Sequence, residues 1–127
     1  MGFSFAQRIQ SIGYAWQGVR ELIASQHNAW VHLAATVIVV ALGLVLGVSR
    51  MDWVVLLGTI SMVWVAEALN TAVEYVADAV TQEEHPLIGK AKDVAAGGVL
   101  LAACGAVCIG VLVFWPYVQA ALTTGLP

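Results

Sequence analysis

The chain has 127 residues, of which 61% are hydrophobic and only 10% are charged, and its mean hydropathy is +0.87. A small soluble domain could not bury so much apolar surface in one core, so we expect the lipid bilayer to act as its solvent. The formal net charge is −3 and no basic cluster occurs, which argues against a nucleic-acid partner. The composition therefore predicts a single-domain integral membrane protein.

The first segment, at about residues 4–24, has the pattern of an amphipathic helix. Its apolar side chains recur at alternating spacings of four and three from Phe5 onwards: Ile9, Ile12, Trp16, Val19 and Ile23. Arg8 and Arg20 lie at the flanks of this apolar stripe. The pattern favours a helix lying in the membrane interface, and a helix that packs on the protein's own core is the alternative.

Two apolar runs follow, and each is long enough to cross a bilayer. Residues 30–48 are interrupted only by His32 and Thr36, and residues 53–80 exceed the roughly 20 residues that a bilayer needs. The second helix should therefore extend into water at its end. We expect these runs to be the first two membrane spans.

A polar loop is predicted at residues 81–93, because Pro86 followed by Gly89 argues against a continuous helix. The third span is predicted at about residues 94–115, where aromatic side chains and a proline mark an interface: Trp115, Pro116 and Tyr117. The whole chain is thus expected to be an all-α membrane protein with one surface helix and three spans.

Basic residues predict the orientation of these spans in the membrane. Arg8 and Arg20 precede the first span, Lys90 and Lys92 follow the second, and Arg50 alone lies on the opposite side. Since cytoplasmic loops carry the excess of basic residues, the N-terminus and the 81–93 loop should face the cytoplasm.

The second span carries a line of polar residues on one face. Glu67, Asn70, Glu74 and Asp78 are spaced three, four and four apart, which places them within an arc of roughly 80°. An ionised group facing lipid costs at least about 2.5 kcal/mol, so this acidic stripe should face protein, water or a metal ion. A solvated helix end is a reasonable alternative for Asp78 and Glu74. It suits Glu67 poorly, because Glu67 should lie about 10 Å deeper.

The stripe by itself would also suit a proton relay or a cation transporter. Lys90, Lys92 and Asp93 are expected on the same side, so carboxylates that hold Mg²⁺ and amines that hold phosphates meet near one membrane face. That combination favours phosphoryl transfer. The sequence contains neither a GxxxxGK[ST] nor a GxGxxG motif, so a nucleotide would have to bind without the usual glycine-rich loop.

Three stretches resemble the prokaryotic diacylglycerol kinase family, small membrane enzymes that include undecaprenol kinases. They are EALNTAVEYVADAV from Glu67, HPLIGKAKDVAAGGVLL from His85 and RIQSIGYAWQGVR from Arg8. The resemblance covers essentially the whole chain. It implies a homotrimer of three-span protomers in the bacterial cytoplasmic membrane, with each active site shared between neighbouring protomers.

The resemblance also implies roles for individual residues. Glu67 resembles the general base that takes the proton of the lipid hydroxyl, Asn70 a positioning group, and Glu74 a ligand of the Mg²⁺ that accompanies ATP. Asp78 matches a supporting position. The positions that match nucleotide contacts are Arg8, Tyr14, Glu83, Glu84, His85, Lys92 and Asp93. From the residues alone, Arg8 could simply anchor the surface helix, and Tyr14 could be an ordinary exposed tyrosine.

The chain departs from the family pattern at one position. Where the family often has a second metal-binding glutamate, this chain has Gln26, within SQHNAW. An amide oxygen can still coordinate Mg²⁺ but adds no charge. Either the second metal ion binds less tightly, or a neighbour such as Glu21 compensates.

The expected function is an ATP- and Mg²⁺-dependent kinase acting on the hydroxyl of a membrane lipid alcohol, with undecaprenol preferred to diacylglycerol. The preference rests on the resemblance of the second loop and of AKDVAAGGVLL to the undecaprenol-type branch. The alternatives are a small ion or drug transporter with Glu67 as its coupling carboxylate, and a non-enzymatic subunit of a membrane assembly.

Overall fold

A computed structural model describes residues 4–124 of the chain. The described part contains four α-helices and no strand: α1 Phe5–Ser25, α2 His27–Val45, α3 Arg50–Val80 and α4 Pro86–Thr124. The last three are long and apolar enough to cross a membrane. The all-α fold with one preceding helix and three candidate spans is therefore confirmed.

Helix α1 leaves its apolar stripe uncovered by the rest of the chain. Ile9 is 60% exposed and Trp16 is 64% exposed, whereas Leu22 near the end of the helix is buried. This C-terminal end contacts α3 through the Tyr75 hydroxyl, which donates to the Glu21 carboxylate at 3.0 Å. The stripe does not face the core of its own chain, and its exposure suits a membrane surface.

The turn between α2 and α3 follows from two local signals. Gly47 adopts φ +62°, the left-handed conformation that glycine favours after a helix, and the Val48 N–H closes the end of α2 by donating to the Gly43 carbonyl at 3.1 Å. Ser49 then caps α3, because its hydroxyl accepts a hydrogen bond from the Asp52 N–H at 3.2 Å. These contacts return the chain antiparallel within a few residues.

A second glycine allows α2 and α3 to approach closely. Gly43 is buried, and a Cβ atom built on it would lie 2.8 Å from the Trp53 ring. Real Cβ atoms do not occur at that distance, so a residue larger than glycine would displace the Trp53 ring or separate the helices here.

The start of α4 corrects the predicted loop. The loop comprises only residues 81–85, and α4 begins at Pro86 rather than near residue 94. Proline suits the first helical turn because its missing N–H would have no intrahelical partner there. The prediction of a loop through residue 93 was therefore wrong. Further along, Pro116 lies inside α4 instead of ending it, as membrane helices tolerate.

A polar cluster joins α4 to the α2–α3 turn, at the end of the molecule opposite the 81–85 loop. The Tyr117 hydroxyl donates to the Asp52 carboxylate at 2.5 Å and accepts from the Ser49 N–H at 3.0 Å. Helix α3 packs along α4 far more extensively than along α2. A groove of about 390 Å³ lies between the three spans, and it is almost wholly apolar except for His32, Thr36 and Thr59.

Candidate active site

The acidic stripe on α3 passes from a buried end to an exposed end. Glu67 is 1% exposed and Asn70 is 6% exposed, Glu74 is half-buried, and the Asp78 side chain is 56% exposed. Glu67 and Asp78 are eleven residues apart, which is about 16 Å along the helix axis. Glu67 therefore faces protein rather than lipid, whereas Asp78 lies in the open.

The buried end of the stripe is held by α2. The His32 Nε2 atom lies 3.3 Å from the Glu67 Oε2 atom, and the side chains of this pair are only 13% and 1% exposed. Sequence reasoning gave His32 no role in the site. A polar residue interrupting an otherwise apolar span was the signal that could have found it.

The His32 side chain is held in turn by aromatic packing. The imidazole meets the Trp64 ring edge to face, with centroids 6.2 Å apart. The Trp64 indole N–H also donates to the Thr36 hydroxyl on α2 at 3.1 Å. Two polar contacts between α2 and α3 thus lie one helical turn apart.

Three oxygen atoms beside this pair are buried and have no hydrogen-bond partner among the described residues. They are Oε1 of Glu67, Oδ1 of Asn70 and Oγ1 of Thr71. A buried polar atom without a partner costs about 1–3 kcal/mol, so three within five residues of one helix indicate a place for a polar ligand. The lone pairs can accept a proton or bind a cation.

Above this cluster, the stripe continues through a contact between its middle members. The Asn70 amide donates to the Glu74 Oε1 atom at 3.1 Å, which orients both side chains. Gln26 is half-buried in the break between α1 and α2, where its backbone is extended. Among residues 4–124, no three His, Cys, Asp or Glu side chains within one chain are grouped closely enough to hold a metal ion.

The oxygen donors of this region nevertheless suit Mg²⁺. The Glu74 carboxylate lies beside Asn70, whose Oδ1 atom is buried and has no partner within the described part of the chain. Hard oxygen ligands of this kind are those that Mg²⁺ prefers. A Mg²⁺ ion beside Glu74 would thus find the oxygen ligands that it prefers.

The exposed end of the stripe borders a cleft of about 590 Å³. Its lining includes the loop between α3 and α4 and brings together five residues predicted from the sequence: Asp78, Glu83, Glu84, His85 and Lys92. The Lys92 ammonium lies 2.6 Å from the Asp78 carboxylate and remains partly exposed. A cationic amine and a histidine, which can both bind phosphate groups, thus share one open cleft with three carboxylates.

The remaining predicted residues lie outside the lining of this cleft. Arg8 and Tyr14 are exposed on α1, where the Tyr14 hydroxyl accepts from the Gln10 amide at 2.9 Å. Asp93 is exposed on α4, directly after Lys92. The described chain therefore gathers the residues of α3, α4 and their loop, and leaves the α1 residues apart from the cleft.

Comparison with known proteins identifies the family of this chain. Residues 13–114 match the model of the prokaryotic diacylglycerol kinase family. The undecaprenol kinase of Bacillus subtilis is 35% identical over 107 residues, which cover 84% of this chain and 87% of that protein. A diacylglycerol kinase of Escherichia coli strain K12 is 31% identical over 120 residues, covering 89% and 93%.

A diacylglycerol kinase of Synechocystis is 43% identical over 101 residues, which cover 79% of this chain and 58% of that protein. The family match includes all of α2 and α3 and most of α4. Helix α3 carries the stripe, whereas α2 and α4 supply the partners of its buried and exposed ends. The chain belongs to the prokaryotic diacylglycerol kinase family.

Proposed function

We propose that this family member is a lipid kinase that transfers the γ-phosphoryl group of ATP to the hydroxyl of a membrane lipid alcohol, with undecaprenol preferred to diacylglycerol. The observation that carries the proposal is the buried carboxylate of Glu67, which has one oxygen without a partner among the described residues, in the middle of a membrane-spanning helix. A transporter receives no support from the comparisons.

In the proposed reaction, Glu67 acts as the general base. Its Oε1 atom accepts the proton of the lipid hydroxyl while the hydroxyl oxygen attacks the γ-phosphorus atom of ATP. The bond between the γ-phosphorus and the bridging oxygen breaks, and ADP leaves. Asn70, which lies one turn along the stripe, positions the reacting groups through its amide. Most of the rate enhancement would come from positioning and charge neutralisation.

The nucleotide is proposed to occupy the open end of the stripe. Lys92 would bind its phosphates, and Asp78 would support Lys92 through their 2.6 Å ion pair. The remaining proposed nucleotide contacts are Arg8, Tyr14, Glu83, Glu84, His85 and Asp93. The position of Glu83, Glu84 and His85 around the same cleft as Lys92 supports this assignment.

Glu74 is proposed to hold the Mg²⁺ that accompanies ATP, with Gln26 as a weaker second ligand. When bound, the ion would neutralise charge on the transferring phosphates. The half-buried Glu74 carboxylate is held in place by the Asn70 amide, which supports its role as an oriented ligand.

We further propose a homotrimer in the bacterial cytoplasmic membrane, with its active sites on the cytoplasmic side and shared between protomers. The distribution of basic residues supports this orientation. Crosslinking in native membranes tests the assembly, since a trimer should yield species up to three protomers, whereas monomers alone would contradict it.

The lipid kinase proposal is tested by incubating the purified protein with γ-labelled ATP, Mg²⁺ and a panel of lipid alcohols in mixed micelles. We expect label in undecaprenol above that in diacylglycerol, with both acceptors at equal mole fraction and with their solubility checked. A higher rate with diacylglycerol would overturn the preference, and label in no lipid would overturn the function.

A further inference from the structure

The His32 contact with Glu67 is the one polar contact of the proposed base to another helix in the described chain. It joins Nε2 to Oε2 at 3.3 Å across α2 and α3, and both side chains are largely shielded from solvent. None of the stretches that carry the family resemblance includes His32.

The direction of this hydrogen bond follows from the state in which Glu67 acts. A base must be ionised before it takes a proton, and an ionised carboxylate can only accept hydrogen bonds. The hydrogen therefore resides on Nε2 of His32, which donates to Oε2. The other carboxylate oxygen, Oε1, keeps its lone pairs for the incoming hydroxyl.

We propose that His32 is a positioning residue of the phosphoryl transfer, which holds the Glu67 carboxylate so that Oε1 faces the lipid hydroxyl. A glutamate side chain has several rotatable bonds, so one fixed oxygen determines where the other points. The imidazole is suited to this because its own ring is held edge to face against Trp64. A displacement of about 1 Å in a reacting group can cost about 100-fold in rate.

The imidazole also lines the apolar groove between the three spans. It therefore contacts the proposed base and also borders an apolar groove, the side from which a lipid chain would approach. This location places the positioning contact on the lipid side of the reaction, and not on the nucleotide side.

The inference rests on the proposed role of Glu67, and its test separates the two. His32→Leu should lower kcat by about 10- to 100-fold while the KM for ATP stays within about twofold. His32→Gln, whose amide N–H extends about as far as Nε2, should restore kcat to within about fivefold of the wild type. An unchanged kcat in His32→Leu would overturn the inference.

A double-mutant cycle with Glu67→Gln shows whether His32 acts through the carboxylate. In the Glu67→Gln background, His32→Leu should change the residual rate by less than about twofold, because no base remains to be positioned. The same factor in both backgrounds would overturn the inference. Full activity of Glu67→Gln alone would instead overturn the proposed role of Glu67.

Thr36→Val is the matched control, because it removes the other polar contact between α2 and α3, the one from Trp64. Near wild-type kcat is expected, whereas a loss equal to that of His32→Leu would assign both effects to helix packing and overturn the inference. If His32→Leu does not accumulate in membranes, His32→Asn replaces it. The shorter Asn amide should fall well below Gln in kcat, and equal rates would overturn the proposal.

Discussion

The two ends of the acidic stripe are built in opposite ways. At one end, Glu67 and His32 form a pair with side chains 1% and 13% exposed. At the other end, Asp78 and Lys92 form a shorter contact of 2.6 Å, yet their side chains are 56% and 39% exposed. The shorter contact is the weaker constraint, because water and salt compete for exposed charges and leave such pairs worth about 0–1 kcal/mol.

This contrast separates a preorganised end from an adaptable one. At the buried end, a contact from α2 that is shielded from water holds one oxygen of the Glu67 carboxylate. An exposed ion pair can open to admit phosphate groups without a large desolvation cost. The proposed lipid-side base is thus fixed before substrates bind, whereas the proposed nucleotide end can exchange its contacts.

The largest expected effect is at the buried end. Glu67→Gln keeps the side-chain shape but removes the base, so kcat should fall by about 100- to 10,000-fold with little change in thermal stability. Steady-state kinetics and thermal unfolding in the same detergent measure the two quantities. Glu67→Asp is the matched control: it keeps the charge at a shorter reach and should retain part of the rate. Equal activity of both variants and the wild type would remove Glu67 from the reaction.

In the middle of the stripe, substitution of Glu74 should change the Mg²⁺ dependence of the rate. Glu74→Gln removes a carboxylate from the proposed Mg²⁺ site, so the Mg²⁺ concentration for half-maximal rate should rise by about tenfold or more. Titration of the rate with Mg²⁺ at saturating ATP measures this change, and high Mg²⁺ should recover much of the activity. A metal dependence like that of the wild type would contradict the assignment.

A smaller gain is expected at Gln26, where an acidic ligand would replace an amide. Gln26→Glu should lower the half-maximal Mg²⁺ concentration by about a few-fold, because the site gains a charge. Glu21→Gln is measured by the same titration. If Glu21 compensates for the missing charge at Gln26, this variant should raise the half-maximal Mg²⁺ concentration, whereas an unchanged value means that Glu21 does not compensate. If Gln26→Glu leaves the titration unchanged, Gln26 does not weaken metal binding in this chain.

The smallest effect is expected at the exposed end. Asp78→Asn removes a solvent-exposed ion pair, so stability should change by less than about 1 kcal/mol and the rate by only a few-fold. Lys92→Gln, which removes a proposed phosphate contact, should raise the KM for ATP more strongly. Steady-state kinetics at low and high salt measure the rate and the KM for ATP of both variants, and thermal unfolding measures their stability. An Asp78→Asn defect as large as that of Glu67→Gln would erase the contrast between the ends.

The fold was largely predictable because bilayer thickness and backbone hydrogen bonding restrict what an apolar run can do. The start of α4 was not predicted, because proline disrupts the interior of a helix but is favoured in its first turn, and the local sequence does not show which position Pro86 takes. The close approach at Gly43 was also missed, since its reason is the Trp53 ring on the next helix.

For the site, the spacing on α3 correctly placed Glu67 and Asn70 on one buried face. Resemblance then suggested roles that local pattern could not, such as the proposed metal contact of Gln26. The Glu67 contact with His32 could not be read from spacing, because the two residues are 35 positions apart and belong to different helices.

The sequence by itself determined that three apolar helices are long enough to cross a membrane and that the acidic stripe occupies one helix face, because these depend on local periodicity and on the cost of charge in lipid. Only the tertiary structure decided which helix supplies the partner of Glu67, and which oxygen of Glu67 has no hydrogen-bond partner among residues 4–124. Those properties depend on how helices distant in sequence pack together, and a buried carboxylate is the group most sensitive to that packing.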